Sequence, residues 1–145
     1  MTKARPTPLP EHLGIRLHRA YESWLQMFVA EMNAAGHDWF TQARASLIGH
    51  IPRQGCRQSD LLIKTGWTKQ ALQQMLDGLE RHGVLQRSVD PADKRGRLVD
   101  LTDKGHSALA DADRIKGELT TVFEQRMGKD KLAELEALLD AMVER

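Results

Sequence analysis

Only one cysteine, Cys56, occurs in the 145 residues, so neither an internal disulfide nor a cysteine-based metal cluster is available. Long apolar runs are missing too: no stretch of about 18 residues is apolar enough to span a bilayer. Met1 to Pro10 lacks the hydrophobic segment of a secretory leader, which places the chain, by expectation, in the cytoplasm and away from membranes. The histidines, His12, His18, His37, His50, His82 and His106, include no pair at i, i+4 and no carboxylate cluster of metalloprotein spacing, so no metal or other cofactor is expected. No nucleophile, phosphate loop or carboxylate pair stands out, which argues against an enzyme. No stretch repeats with a period of 20 to 50 residues, which excludes a solenoid.

What is present is enough for one domain with a real core, at 41% hydrophobic residues. A net charge of +1 hides an uneven distribution. Between Arg53 and Arg97, nine cations (Arg53, Arg57, Lys64, Lys69, Arg81, Arg87, Lys94, Arg95 and Arg97) face five anions (Asp60, Asp77, Glu80, Asp90 and Asp93), a local excess of four. A nearly neutral chain can thus carry a basic face, and a local patch is what nucleic-acid binding leaves in a sequence.

Apolar periodicity predicts a long first helix through Leu13, Leu17, Tyr21, Trp24, Phe28 and Met32, ending at Gly36. The prolines at 6, 8 and 10 predict an extended arm before it. Thr41 is placed to cap a short helix through Leu47 and Ile48. A third helix is expected over Gln58 to Lys64 and a fourth after Thr68, its inner face Leu72, Met75, Leu76 and Leu79 and its stop Gly83. Two such helices separated by Thr65-Gly66-Trp67 make a helix-turn-helix. The period then drops to two: Leu85, Arg87 and Val89, then Val99 and Leu101, predict a hairpin around the charged turn Asp90 to Gly96. Thr102 caps a helix carrying Leu109, Ala112, Leu119, Val122 and Phe123, which Gly128 breaks before a last helix with Leu132, Leu135, Leu138, Leu139 and Met142.

The ordered combination of a helix-turn-helix, Leu79-Glu80-Arg81-His82-Gly83, Asp90-Pro91-Ala92-Asp93-Lys94-Arg95 and Leu101-Thr102-Asp103-Lys104-Gly105 resembles the MarR family of bacterial winged-helix transcription regulators. The resemblance runs over most of the chain. It implies a mainly α fold with a small β-hairpin wing, as a single domain over 1–145. Within it, 41–101 would be a winged helix-turn-helix DNA-binding lobe, and 11–35 and 103–145 dimerisation helices. It further implies a homodimer on a pseudo-palindromic operator, acting as a ligand-responsive repressor.

Residue chemistry supplies the roles. Thr68, Lys69, Gln70, Gln73 and Gln74 lie toward solvent on the half of the fourth helix that would enter a major groove. Glutamine suits bidentate pairing with adenine, and Lys69 suits guanine or phosphate. Lys94, Arg95 and Arg97 on the wing have the reach for a minor groove, with Asp93 shaping the turn. Arg57 and Ser59 are candidates for phosphate contact. Arg57 also stands where the family usually has a Ser or Thr helix cap, and Gln74 where it often has arginine. Gly78, inside the fourth helix, is expected to cost about 1 kcal/mol relative to alanine unless a neighbour needs the space. Tyr21, Trp24, Phe28 and Trp39, with Phe40 nearby, are candidates either for dimer core or for the pocket of a small aromatic effector. Cys56 lies between Arg53 and Arg57, cations that would favour its thiolate. The family's peroxide sensors carry their cysteine in the first helix, where this chain has none. The alternative to DNA binding is a winged-helix module that binds a protein.

Overall fold

The computed structural model describes residues 11–143; the arm expected at the three prolines lies outside them. Six helices and three strands follow in the order α1 (Leu13–Ala34), α2 (Gln42–Ile48), β1 (Cys56–Arg57), α3 (Gln58–Thr65), α4 (Lys69–Arg81), β2 (Leu85–Val89), β3 (Arg97–Leu101), α5 (Asp103–Met127) and α6 (Lys129–Val143). The fold is mainly α with a small β wing, as the resemblance implies.

The helix starts follow from hydroxyl caps. Thr41, Thr68 and Thr102 each accept a hydrogen bond from the backbone N–H three residues on, at 3.3, 3.1 and 3.2 Å. Gly66 ends α3 with φ of 65°, a left-handed turn that a β-carbon would strain, and this lets α4 leave at an angle. Arg57 precedes α3 with no side-chain cap bond.

The sheet has one strand more than the hairpin alone. β3 lies in the middle, antiparallel to β2 through Leu85↔Leu101 to Val89↔Arg97 and to β1 through Cys56↔Val99 and Arg57↔Leu98. Two residues are too few to show a period of two, which is why β1 left no mark in the pattern. The alternation of β2 also fails at its far end. Leu85 is buried, but Val89 is 51% exposed, because the wing projects past the core.

One continuous cluster of buried side chains joins α1 (Leu25, Phe28, Met32), α2 (Leu47, Ile48), the helix-turn-helix (Leu61, Leu72, Leu76, Leu79), the sheet (Leu85, Val99, Leu101) and α5 (Ala108, Ala112, Ile115, Leu119). The lobe and the first half of α5 therefore share a core. Two of the four aromatics considered for a dimer core belong to it: Phe28 is 5% exposed and Trp39 2%, so their rings pack within this chain and present no surface to a second copy. Tyr21, by contrast, is 58% exposed, and Trp24 is half-buried against Phe28. Met75 packs against the edge of this core beside Trp67 and is half-buried.

Gly78 has the neighbour that excuses it. Arg44 of α2 lies across it, so a β-carbon there would come within 3.1 Å of a guanidinium nitrogen. The same guanidinium donates to the Trp39 carbonyl at 2.7 Å. α6, in contrast, buries nothing fully. Leu135, Leu138, Leu139 and Met142 are 39 to 59% exposed and Val143 79%.

Candidate nucleic-acid interface

The N-terminal half of α4 and the wing stand beside each other and form the two walls of a concavity of about 500 Å³. Ser59, Lys69, Gln70, Gln73, Arg95 and Arg97 line it, together with Gln58, which the sequence did not single out. Lys69 and Arg97 have no carboxylate partner among the described residues. Unpaired cations at a concave surface are what a phosphate chain requires.

Arg95 is held only locally. Its side chain is 93% exposed, and its Nε lies 3.4 Å from Asp93 Oδ1, which also accepts from the Arg95 backbone N–H at 3.1 Å. Asp93 thus shapes the tip by an Asx-type turn and steadies the arginine above it. The base of the wing has a second brace. Asp90 is only 4% exposed; one carboxylate oxygen accepts from the Ala92 N–H at 2.8 Å and the other meets Arg57 Nε at 2.9 Å. A buried carboxylate has to be paired and bonded in this way. Arg57 is therefore occupied in tying β1 to the wing.

The remaining candidates are dispersed. Lys94 sits exposed at the tip, outside the concavity. Thr68 is exposed at the start of α4 and spends its oxygen on the helix cap, which leaves its O–H free to donate. Gln74 points to another face and lines a shallow surface with Trp67, Ala71 and Met75. On α4, Gln70 lies between Gln73 and Gln74, which are turned about 100° from each other.

An ionic cluster missed in the sequence joins the two walls. Arg87 of β2 reaches back to α4, its Nη2 donating to Asp77 Oδ1 at 2.5 Å and Glu80 Oε2 at 2.7 Å, with 13% of its side chain exposed. The Arg87 guanidinium beside Glu80 holds that carboxyl below the usual carboxylate range. The signal was an arginine at an inward position of a strand, paired with acids three apart on the preceding helix. Periodicity marks that position as apolar and does not show what satisfies a charge there.

Cys56 corrects a sequence expectation. Arg53 pairs with Asp113 and Arg57 with Asp90, so neither serves the thiol. Burial pushes the Cys56 thiol up from its ordinary value, with Lys64 opposing and Asp60 and Asp100 adding to the rise. A thiol so placed is a poor nucleophile at neutral pH. Among the described residues no cluster of His, Cys, Asp or Glu is arranged to hold a metal. No helix among them is long and apolar enough to cross a membrane. Two histidines find a carboxylate: His18 lies 3.3 Å from Glu22 on the exposed side of α1, and His37, 8% exposed, donates from Nε2 to Asp111 at 2.8 Å and ties the α1–α2 loop to α5.

A small cavity of about 60 Å³ lies between the lobe and α5, lined in part by Phe28, Met32, Trp39, Phe40, Ala108 and Lys116. The Trp39 indole N–H is buried without a protein partner.

No protein-family model matches the sequence. Solved structures with the same architecture do. A cysteine-to-serine mutant of MarR from Escherichia coli, complexed with operator DNA, superposes with a TM-score of 0.73 at 25% identity, covering 91% of this chain and 94% of that one. The chain has the winged-helix fold of the MarR-type regulators. A second MarR-type fold, BpsR from Bordetella bronchiseptica, studied for regulation of its DNA binding by 6-hydroxynicotinic acid, has a TM-score of 0.70 at 22% identity over 92% of this chain and all of that one. Among curated proteins, transcriptional regulator HosA of Escherichia coli O111:H- is 35% identical over 79 residues, 54% of this chain. The match spans 58% of that relative's length, a little over half.

Proposed function

We propose that this chain is a member of the MarR family and a sequence-specific double-stranded DNA-binding regulator of transcription, a repressor that acts as a homodimer on a pseudo-palindromic operator. The observation that carries the reading is the concavity itself, where one helix offers Lys69, Gln70 and Gln73 while the wing opposite offers Arg95 and Arg97. A helix of this composition can read adenine and guanine edges in the major groove, and arginines on a hairpin can enter the adjacent minor groove. That a MarR mutant of similar fold forms a complex with operator DNA supports a duplex as the partner.

Two copies are required because one concavity reads one half-site, and half-sites recur about 34 to 36 Å apart along a duplex. The exposed leucines of α6, with Met142 and Val143, supply an apolar face suited to a second copy. Leu135→Glu combined with Leu139→Glu is expected to give a monomer by sedimentation, with duplex affinity lower by at least about tenfold. A variant that stays dimeric removes α6 from the interface.

Ligand response is the finer part of the proposal. The effector of BpsR supports it, and so does the cavity beside Trp39. At about 60 Å³ that cavity is far below the roughly 300 Å³ of ordinary ligand pockets. An aromatic effector enters only if α1 and α5 part, and parting them would change the spacing of the two reading helices.

The decisive experiment selects duplexes from a genomic library with the purified full chain and then titrates the winner at increasing salt. Affinity should fall steeply and linearly on a log–log plot, because cations released from phosphates set the slope. Affinity that ignores salt, with capture of no preferred duplex, would favour a module that binds protein.

A further inference from the structure

A hydrogen-bonded chain runs from the wing strand through α4 to α3, and its direction is dictated at one end. Arg87 has only donors, so the Asp77 oxygen that meets it, Oδ1, is an acceptor. That same oxygen accepts from Gln73 Nε2 at 3.0 Å. With its nitrogen turned to Asp77, the Gln73 amide presents its oxygen to Gln58, which has to donate, and Gln58 Nε2 does so at 3.1 Å. The last member bears the consequence: Gln58 Oε1 is left buried with no partner in the protein. Flipping Gln58 would set two carbonyl oxygens against each other, so the orphaned oxygen is the end product of a polarity that starts at Arg87.

We propose that Arg87, Asp77 and Gln58 are positioning residues that fix the amide of Gln73 in one of its two orientations and so set which base that glutamine accepts. This rests on the DNA-binding reading above. An unrestrained glutamine turns its amide over at little cost and offers either order of donor and acceptor. Tied at both ends, Gln73 keeps one N–H and one oxygen lone pair in a set order. A donor and an acceptor side by side match N7 and N6 of adenine. Gln73 is exposed and lines the concavity with Arg95 and Arg97, so this edge is available to a duplex. The wing, through Arg87, thereby contributes to base choice in the major groove without touching that groove.

The test compares base preference among four chains: the wild type, Asp77→Ala, Asp77→Asn and Gln73→Ala. Gln73→Ala first identifies the base pair whose preference depends on that residue. Asp77→Ala should reduce the adenine preference at that pair, and at no other, by about three- to tenfold. Any uniform gain in affinity from the lost negative charge cancels in the ratio. Asp77→Asn keeps an oxygen that Arg87 can pin, so it should retain the preference. Adding Asp77→Ala to Gln73→Ala should change the preference no further. Circular dichroism and melting of each variant separate a folding defect from a positioning one. An Asp77→Ala chain that folds and keeps the wild-type preference overturns the proposal, as does equal loss at every base pair. A wild-type chain that binds no duplex overturns the DNA-binding reading itself, and the positioning role falls with it.

Discussion

Gly105→Ala should lower the unfolding free energy by about 3 kcal/mol, near the upper end for overpacking a core, and the melting temperature by about 10 °C. A β-carbon at Gly105 would stand 2.2 Å from the Val84 carbonyl oxygen and 3.2 Å from Leu101 Cβ. The first of these is backbone and cannot rotate away. It is also held: Val84 O accepts from the Thr102 N–H at 3.1 Å, while Thr102 Oγ1 caps the first turn of α5. The start of α5 is thus clamped against the start of β2, and an added methyl has to pry open a junction that is part of the core. Gly117 in the same helix is the control, since a β-carbon there meets nothing within 4 Å. Alanine at Gly117 should stabilise the chain by up to about 1 kcal/mol. Chemical denaturation of the two variants checks both signs; a Gly105→Ala chain as stable as wild type would mean that α5 slides freely on the sheet.

Arg95→Ala should weaken duplex binding by about ten- to a hundredfold, the range for losing one specific arginine contact. The fold should hardly notice. The side chain is 93% exposed and its one ionic partner is the adjacent Asp93, an arrangement worth little to stability. The melting temperature should stay within the small range of ordinary surface substitutions. The pairing of a large binding loss with an unchanged melt is what distinguishes a contact from a brace. Arg87→Ala should do the reverse in part, because it leaves Asp77 and Glu80 facing each other without their shared cation. Anisotropy titrations at two salt concentrations check the first claim, and the salt slope should also fall by about two, one for each protomer of the proposed dimer. Undiminished affinity in Arg95→Ala would take the wing tip out of the interface.

The elements that could be read from the sequence are those whose cause is local. The three threonine caps, the α3–α4 turn at Gly66 and the hairpin are each specified within a few residues, by a hydroxyl, a missing β-carbon or a period of two. The wing's role for Asp93 was legible for the same reason, since an aspartate two residues before Arg95 reaches that residue's own N–H. β1 was not, because its pairing partner Val99 lies 43 residues away and two residues carry no period. The basic patch was legible only as a sum. Which cations remain available depends on where Asp77, Glu80, Asp90 and Asp113 end up. The structure commits Arg53, Arg57 and Arg87 to those acids. Cys56 shows the same limit: neighbours in sequence suggested an activated thiol, and burial decided otherwise.

By itself, then, the sequence determined the helices, their caps, the wing and the type of surface the wing carries. Propensity, capping and periodicity act over a turn or two of chain and need no partner. Only the tertiary structure decided which polar groups are free to meet a ligand. Gln73 and Gln74 are adjacent and chemically identical, yet one is tied between Gln58 and Asp77 over the concavity and the other faces away beside Trp67. That difference arises because a helix turns about 100° per residue and because the wing folds back to place Arg87 against one side of it.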